Sequence, residues 1–194
     1  MFHVIAFLLV LCCWVAFGVV FFVFLRGKPA QGAERTRDVR SRVGIVLQAL
    51  SYVVVWSASR RFKPLVGFSR AFDVGLLGLA VVLAVGSIWL VTAAVRTLGK
   101  EWSLTARLVE GHRLVMDGPY ALVRHPIYTG MFGLLLATGL THSYGPALLV
   151  GLLVFWMGTV VRVRSEERLL RAAFGAQYEA YARRVPAAVV PGLY

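Results

Sequence analysis

Five apolar stretches, separated by polar and mostly basic segments, make up most of the chain. The first contains no charged residue and is about as long as the roughly 20 residues that a helix needs to cross a bilayer. The five stretches comprise residues 4–25, 43–59, 71–95, 126–140 and 146–161. Their length and continuity predict an all-α, polytopic membrane protein with about five transmembrane helices.

The last two apolar stretches are separated by a short connector: Thr141, His142, Ser143, Tyr144, Gly145 and Pro146. Its turn-like composition predicts a tight helical hairpin. The chain then becomes charged but keeps a helical pattern as far as Pro186, which predicts a C-terminal helix beyond the last span. We therefore divide the chain into N-terminal transmembrane helices, 1–95, and a region that holds the hairpin and the reactive side chains, 96–194.

The charge distribution fits the flanks of a membrane protein. The chain is 59% hydrophobic, has a mean hydropathy of +0.74 and carries a net charge of +12. Nucleic-acid binding would need basic residues interleaved with exposed aromatics, whereas most aromatics here lie inside apolar stretches. Seventeen basic residues lie in 26–42, 96–124 and 162–184, against four in 60–70. The positive-inside rule therefore predicts a cytoplasmic C-terminal helix, with 60–70 on the outer side against the trend.

Several common kinds of site are absent from the sequence. Cys12 and Cys13 are adjacent in an apolar helix, which gives neither a disulfide framework nor a spaced metal site. The sequence contains no GxGxxG, P-loop, HExxH, CxxC or GxSxG motif. A cofactor would therefore not be bound by a Rossmann domain, and no metal is expected.

Arg124, His125, Pro126, Ile127 and Tyr128 form the first candidate site. Proline suits the first turn of a helix, so His125 would occupy the cap position and the free N–H groups would face an anion such as a carboxylate. Tyr128, three residues on, lies near the same helix end. The alternative is that His125 and Pro126 only end a loop while Arg124 reaches lipid headgroups.

Arg162 and Glu166, just after the last apolar stretch, form the second candidate. They are four residues apart and share one helix face. An arginine fork binds a carboxylate, and a glutamate binds an amine or a hydroxyl, so the pair could hold a zwitterion. The alternative is an ordinary ion pair at the membrane boundary. His112, in a polar loop, is on its own more often solvated than functional.

These motifs occur in a recognisable order. Residues 111–130 read GHRLVMDGPYALVRHPIYTG, an apolar hairpin follows, and residues 162–186 read RVRSEERLLRAAFGAQYEAYARRVP. With this combination the C-terminal half resembles the isoprenylcysteine carboxyl methyltransferase (ICMT) family and the related phospholipid N-methyltransferases. The first three stretches match only in being apolar.

The resemblance implies an integral membrane enzyme with a cytoplasmic pocket for S-adenosylmethionine in region 96–194. Carried over by motif, the cofactor-binding residues would be His112, Arg113, Leu114, Val115, Tyr120, His125, Pro126, Ile127, Tyr128 and Glu166. Arg162 matches the position associated with substrate. His125 is the candidate base should the acceptor be an amine or a thiol. Where the family often has a longer acidic run, this chain has only Glu166 and Glu167, so either could face the cofactor.

The reaction favoured by this reading is transfer of methyl to a carboxylate of a hydrophobic, isoprenylcysteine-like substrate drawn from the membrane lipids. A carboxylate is already ionised at neutral pH, so transfer needs positioning rather than a general base. The residues leave other functions open. These are an N- or S-methyltransferase of phospholipids or small molecules, an NADPH-dependent membrane reductase, and a non-catalytic membrane scaffold.

Overall fold

The fold consists almost entirely of helices. The computed structural model describes residues 2–26, 34–37, 40–61, 63, 69–102, 107–109 and 113–190. The α-helices in these ranges are α1 (Phe2–Arg26), α2 (Arg40–Ser57), α3 (Arg70–Leu98), α4 (Pro126–His142), α5 (Gly145–Phe174) and α6 (Ala176–Arg184). Each predicted apolar stretch corresponds to one of the first five helices, and the predicted all-α class is confirmed.

A short β-ribbon joins two of the segments between helices. Strand β1 (Glu34–Arg37), between α1 and α2, pairs antiparallel with β2 (Arg107–Val109), between α3 and α4. The α3–α4 connection also contains two short 3₁₀ helices, Gly99–Glu101 and Gly118–Ala121. The ribbon therefore brings together two segments that the charge pattern assigns to the same side of the membrane.

The outer surface of the helices is apolar. Val15 is 64% exposed, Val82 69% and Trp89 70%. Large apolar surfaces of this kind are unfavourable in water and favourable against lipid. Among the described helices, α1, α3 and α5 are each long and apolar enough to cross a membrane, while α2 has 18 residues and α4 has 17. The chain is a multi-pass membrane protein, and the count of five spans stays a prediction.

Helix α4 lies at the centre and contacts α1, α2, α3 and α5. The most extensive contacts are those of α2 with α5 and of α3 with α4, whereas α4 and α5 contact each other less. One core cluster, around Leu134, joins α4 to α1 and α3; a second, around Phe155, joins α5 to α2 and α4. The two helices of the predicted hairpin are therefore packed mainly against partners that come earlier in the chain.

The connector between α4 and α5 is shorter than the six residues predicted. Only Ser143 and Tyr144 lie between the two helices. Thr141 stays helical and bonds the carbonyl of Ala137, and Pro146 is accommodated in the first turn of α5, where it removes no needed hydrogen bond. The prediction was wrong here because composition marks a turn without marking where the helices end.

Arg60 lies at this same end of the helices and is buried, with 2% of its surface exposed. Its backbone N–H donates to the His142 carbonyl at 3.0 Å and its guanidinium to the carbonyls of Ser143, at 3.4 Å, and of Leu140. A cation at this position complements the negative end of the α4 dipole. Arg60, one of the four basic residues in 60–70 that run against the positive-inside rule, therefore caps the end of α4.

Candidate functional site

A cavity of about 350 Å³ lies between α1, α2, the start of α4 and the part of α5 that is remote from Ser143. Its volume falls within the range of ligand pockets, roughly 300–1,000 Å³. Most of the wall is apolar or aromatic, and its charged side chains include Arg124 and His125, just before α4, and Arg162 and Glu166, within α5. This combination suits a ligand with an apolar body and a few charged groups.

Most of the residues predicted from the sequence border this cavity. They are Arg113, Leu114, Val115, Tyr120, His125, Ile127, Tyr128, Arg162 and Glu166. Pro126 is buried in the first turn of α4 and is not part of the wall. His112 lies outside the described residues. The cavity thus unites two motifs, around His125 and around Arg162, that are far apart in the sequence.

The first two helices form a wall that the sequence analysis did not assign to the site: Trp14, Phe17 and Phe21 from α1, and Ile45, Gln48, Ala49 and Tyr52 from α2. The rings of Trp14 and Tyr52 lie edge to face, 4.9 Å apart. Trp14 Nε1 donates to Thr138 Oγ1, and the Tyr52 hydroxyl donates to the Met131 carbonyl, each at 2.9 Å. Both rings are therefore anchored to α4. The one sequence signal for this wall is Gln48, a polar residue within an apolar stretch.

His125 and Pro126 begin α4 as predicted, with proline in the first turn. The His125 backbone N–H donates to the Ala188 carbonyl at 2.8 Å, and its side chain bonds none of the first helical N–H groups. Its ring instead lies almost parallel to that of Tyr128, with centroids 5.6 Å apart. The histidine therefore faces the next turn of α4 and the end of α5.

Two carboxylates flank the His125 ring. Its Nδ1 lies 3.3 Å from Glu166 Oε2, and its Nε2 lies 3.5 Å from Glu167 Oε1. Burial alone would lower the pKa of His125, but hydrogen bonding and attraction from the two glutamates outweigh it and hold the pKa above its ordinary value. The two glutamates therefore stabilise the protonated imidazolium of His125.

The two glutamates, which the sequence could not tell apart, have different surroundings. Glu166 borders the cavity, accepts a hydrogen bond from the Tyr128 hydroxyl and lies 3.6 Å from Arg162 Nη2. Glu167 accepts from Arg124 Nε at 2.9 Å and lies 3.0 Å from Arg171 Nη2. Glu166 therefore faces the cavity, while Glu167 neutralises two arginines beside it.

Arg124 ties the segment after α6 to the site. Its Nη1 donates to the carbonyls of Val185 and Pro186 at 2.7 Å, and its backbone N–H donates to the carbonyl of Ala187 at 3.0 Å. From the sequence, Arg124 was predicted either to belong to the first candidate site or to reach lipid headgroups. The structure makes it a clamp on the chain that follows α6.

Arg162 lies across the cavity wall with 6% of its surface exposed. Its guanidinium carbon lies 4.8 Å from the centroid of the Tyr128 ring, a cation–π geometry. Its Nη1 donates to Gln48 Oε1 at 3.1 Å. The arginine is thus held between α2, α4 and its own helix rather than extended into solvent.

The apolar outer surface of the helices defines an integral membrane protein, and the helices enclose a largely apolar cavity of ligand size with arginine, glutamate and histidine in its wall. Residues 77–172 match the sequence profile of the isoprenylcysteine carboxyl methyltransferase (ICMT) family. The chain belongs to this family, as the motifs in its C-terminal half predicted, and is a membrane methyltransferase.

Similar proteins carry two kinds of name. The chain is 30% identical over 145 residues to protein-S-isoprenylcysteine O-methyltransferase B of Arabidopsis thaliana, covering 74% of this chain and 72% of that protein. It is 34% identical over 103 residues to protein-S-isoprenylcysteine O-methyltransferase of Schizosaccharomyces pombe, covering 52% and 44%. It is also 31% identical over 167 residues to the nickel-cobalt-cadmium resistance protein NccN of Alcaligenes xylosoxydans xylosoxydans, covering 82% and 71%.

The profile match begins within α3 and ends within α5, so it leaves out α1 and α2, which form part of the cavity wall. The alignment with the Schizosaccharomyces pombe protein covers less than half of that protein. The likeness to phospholipid N-methyltransferases stays a prediction. The family therefore gives the reaction class, while the acceptor has to be argued from the cavity.

Proposed function

We propose that the chain transfers the methyl group of S-adenosylmethionine to a carboxylate of an apolar, isoprenylcysteine-like acceptor at the cytoplasmic face of the membrane. The observation that carries this proposal is the position of Arg162 and Glu166 in one cavity with a wall of aromatic side chains. A cationic group, an anionic group and apolar surface are together what the two reactants need.

The residues present fit the cofactor. S-adenosylmethionine bears an ammonium group, a carboxylate and an adenine ring, and it supplies an electrophilic methyl group on a sulfonium sulfur when bound. Glu166 offers a carboxylate for a cationic group, and the Tyr128 hydroxyl and the His125 ring hold that carboxylate in place. Leu114, Val115 and the other apolar residues of the wall would pack against the adenine.

Arg162 is the residue proposed to orient the acceptor. Its fork binds a carboxylate, which is ionised at neutral pH and needs no base to attack a methyl group. Its nearness to Glu166, 3.6 Å from Nη2, keeps part of its charge compensated and so limits how tightly it holds the nucleophile. The chain's own contribution is then positioning and the exclusion of water.

Two further observations support the acceptor class and the side of the membrane. The α1 and α2 wall offers the rings of Trp14, Phe17 and Phe21 to an apolar chain. The basic residues favour the cytoplasm for the end of α5 at which Arg162 and Glu166 lie. A lipid-like acceptor would enter from the bilayer and the cofactor from the cytoplasm.

The first test is calorimetric titration of S-adenosylmethionine into the detergent-purified protein. We expect saturable binding by the wild type and at least a tenfold loss of affinity in Glu166→Ala, because a hydrogen bond to a charged group is worth about 1.5–3 kcal/mol. His125→Ala should weaken binding less, since it acts through Glu166. Glu179→Ala, at an exposed carboxylate on α6, is the matched control and should bind as the wild type does.

The outcomes separate the remaining functions. Absence of saturable binding by the wild type would sink the proposal, and saturable NADPH binding instead would favour a reductase. Where S-adenosylmethionine binds, transfer of labelled methyl to N-acetyl-S-farnesylcysteine followed by treatment with base identifies the product. A base-labile label indicates a methyl ester. When a lipid extract is used as the acceptor instead, a base-stable label indicates that an amine or a thiol has been methylated.

A further inference from the structure

We infer that Gln48 of α2 is a positioning residue that fixes Arg162 and, by being uncharged, keeps Arg162 selective for a carboxylate acceptor. The inference rests on the proposed function, in which Arg162 holds the acceptor carboxylate. It adds to the site a residue that lies outside the profile match at 77–172.

Gln48 is a buried amide in a membrane helix. It lies near the middle of α2, with 2% of its surface exposed, and borders the cavity. Burying an amide is unfavourable unless its donors and acceptor find partners. Polar side chains at membrane depth are for this reason often functional.

Both ends of the amide are bonded to α5. Oε1 accepts from Arg162 Nη1 at 3.1 Å, and Nε2 donates to Thr159 Oγ1 at 2.9 Å. A rotated amide would set its N–H donors against the guanidinium, which also has only donors. Arg162 and Thr159 together therefore fix the orientation of the Gln48 amide, and that amide in turn fixes Nη1.

The backbones of α2 and α5 approach closely at this point. A Cβ placed on Gly44 would lie 2.4 Å from Arg162 Cγ and 2.6 Å from the Gly158 carbonyl oxygen. A Cβ on Gly158 would lie 2.8 Å from the Gly44 carbonyl oxygen. Small residues allow such contact between membrane helices. The arginine stem therefore crosses the bare face of Gly44, one turn before Gln48.

The charge of the partner decides what Arg162 can still bind. The Gln48 amide holds Nη1 by a hydrogen bond and leaves the positive charge of the guanidinium in place. A glutamate here would add a second carboxylate beside Glu166 and would compete with an acceptor carboxylate. Gln48 therefore fixes the direction of the Arg162 guanidinium without neutralising its positive charge.

The experiment compares binding of two probes, N-acetyl-S-farnesylcysteine and its carboxamide, to purified variants of this chain. The ratio of their dissociation constants reports recognition of the carboxylate, because the apolar parts are identical. For Gln48→Leu we expect the acid to lose about 10- to 100-fold in affinity and the carboxamide to change little. For Gln48→Glu the loss of affinity for the acid should be larger. For Thr159→Val it should be smaller, because Gln48 is still present and only the hydrogen bond that orients its amide is removed.

Ser51→Ala is the matched control for removal of a buried hydrogen bond in α2. Ser51 is fully buried, bonds the Gln48 carbonyl and does not border the cavity. It should keep the wild-type ratio. Calorimetric affinity for S-adenosylmethionine, expected within about twofold of the wild type in every variant, shows that each protein is folded.

The results separate this inference from the proposed function. A wild type that binds no S-adenosylmethionine contradicts the proposed function itself. A wild type that prefers the acid, with unchanged preference in Gln48→Leu and Gln48→Glu, overturns only the role of Gln48. Parallel loss of affinity for cofactor and both probes would also overturn it, because Gln48 would then be merely structural. Should the Gln48 variants fail to fold, Thr159→Val decides: a reduced preference supports the inference and an unchanged one contradicts it.

Discussion

At the scale of single residues, the site depends on how adjacent acidic residues are divided between partners. Glu166 and Glu167 follow each other in the sequence, yet one turns to the cavity and Arg162 while the other turns to Arg124 and Arg171. Successive residues on a helix point about 100° apart, so one of two adjacent carboxylates can serve a ligand while the other serves the fold.

We expect titration of His125 to make the stability of the folded protein depend on pH. Its pKa is raised because, although burial lowers it, Glu166 and Glu167 stabilise the imidazolium more strongly. Protonated His125 therefore stabilises the folded state fully below its ordinary pKa of about 6.5, and this contribution is lost as the pH rises through the higher folded-state pKa. We expect the thermal midpoint of the wild type to fall relative to that of His125→Gln as the pH is raised above about 6.5.

Differential scanning calorimetry across that pH range measures the effect. Glu166→Gln is the control, since removing one carboxylate should move the loss of stability to lower pH. A wild-type advantage over His125→Gln that is constant across the range would contradict the assignment.

The chemically distinctive residues of the site could be predicted from the sequence, whereas the residues that hold them in place could not. His125, Tyr128, Arg162 and Glu166 stand in ordered motifs, which makes them visible without a structure. Gln48 was not found, because its partners lie 111 and 114 residues away in another helix. Its place in an apolar stretch marks Gln48 as unusual, but the local sequence does not show which distant side chains it contacts.

At the scale of helices, α4 is held at both ends by groups that come from elsewhere in the chain. Its first residues face the carboxylates of α5, and its last carbonyls bond Arg60. The apolar pattern located α4 well, but its last residues and the two-residue connector depend on caps and packing that composition does not reveal.

Arg60 gives a test at this scale. Arg60→Lys keeps the charge but loses the planar fork that reaches several carbonyls, so we expect a loss of about 2 kcal/mol in the free energy of unfolding. The thermal midpoint in detergent should fall correspondingly, while affinity for S-adenosylmethionine at the distant cavity should hold.

Arg61→Lys makes the same chemical change one residue away, at an exposed side chain. Its thermal midpoint should match that of the wild type. Equal midpoints for the two variants would show that the Arg60 fork does not stabilise the end of α4.

At the scale of the whole molecule, the fold divides into an end with Arg60 and the α4–α5 connector and an end with the cavity. The sequence predicted the helices and, through charge, their orientation. It suggested a hairpin of α4 with α5, whereas the closest packing pairs α2 with α5 and α3 with α4. The packing of helices in lipid depends on their shape and on small residues at the contact, and a hydropathy pattern does not show either.

The predicted orientation is open to cysteine labelling. In a background with Cys12 and Cys13 replaced by alanine, Lys63→Cys should react with a membrane-impermeant maleimide in intact cells. Ala180→Cys, on α6, should react only after the cells are permeabilised, because the positive-inside rule assigns α6 to the cytoplasm. The opposite pattern would place the cofactor site on the outer face.

The clamp between Arg124 and the segment after α6 has a consequence for biogenesis. The backbone amides of Arg124 and His125 bond the carbonyls of Ala187 and Ala188, more than 60 residues later in the chain. During translation, α4 and α5 are therefore synthesised before the partners that hold the start of α4. The backbone contacts that hold the start of α4 can therefore form only after the ribosome has passed residue 188.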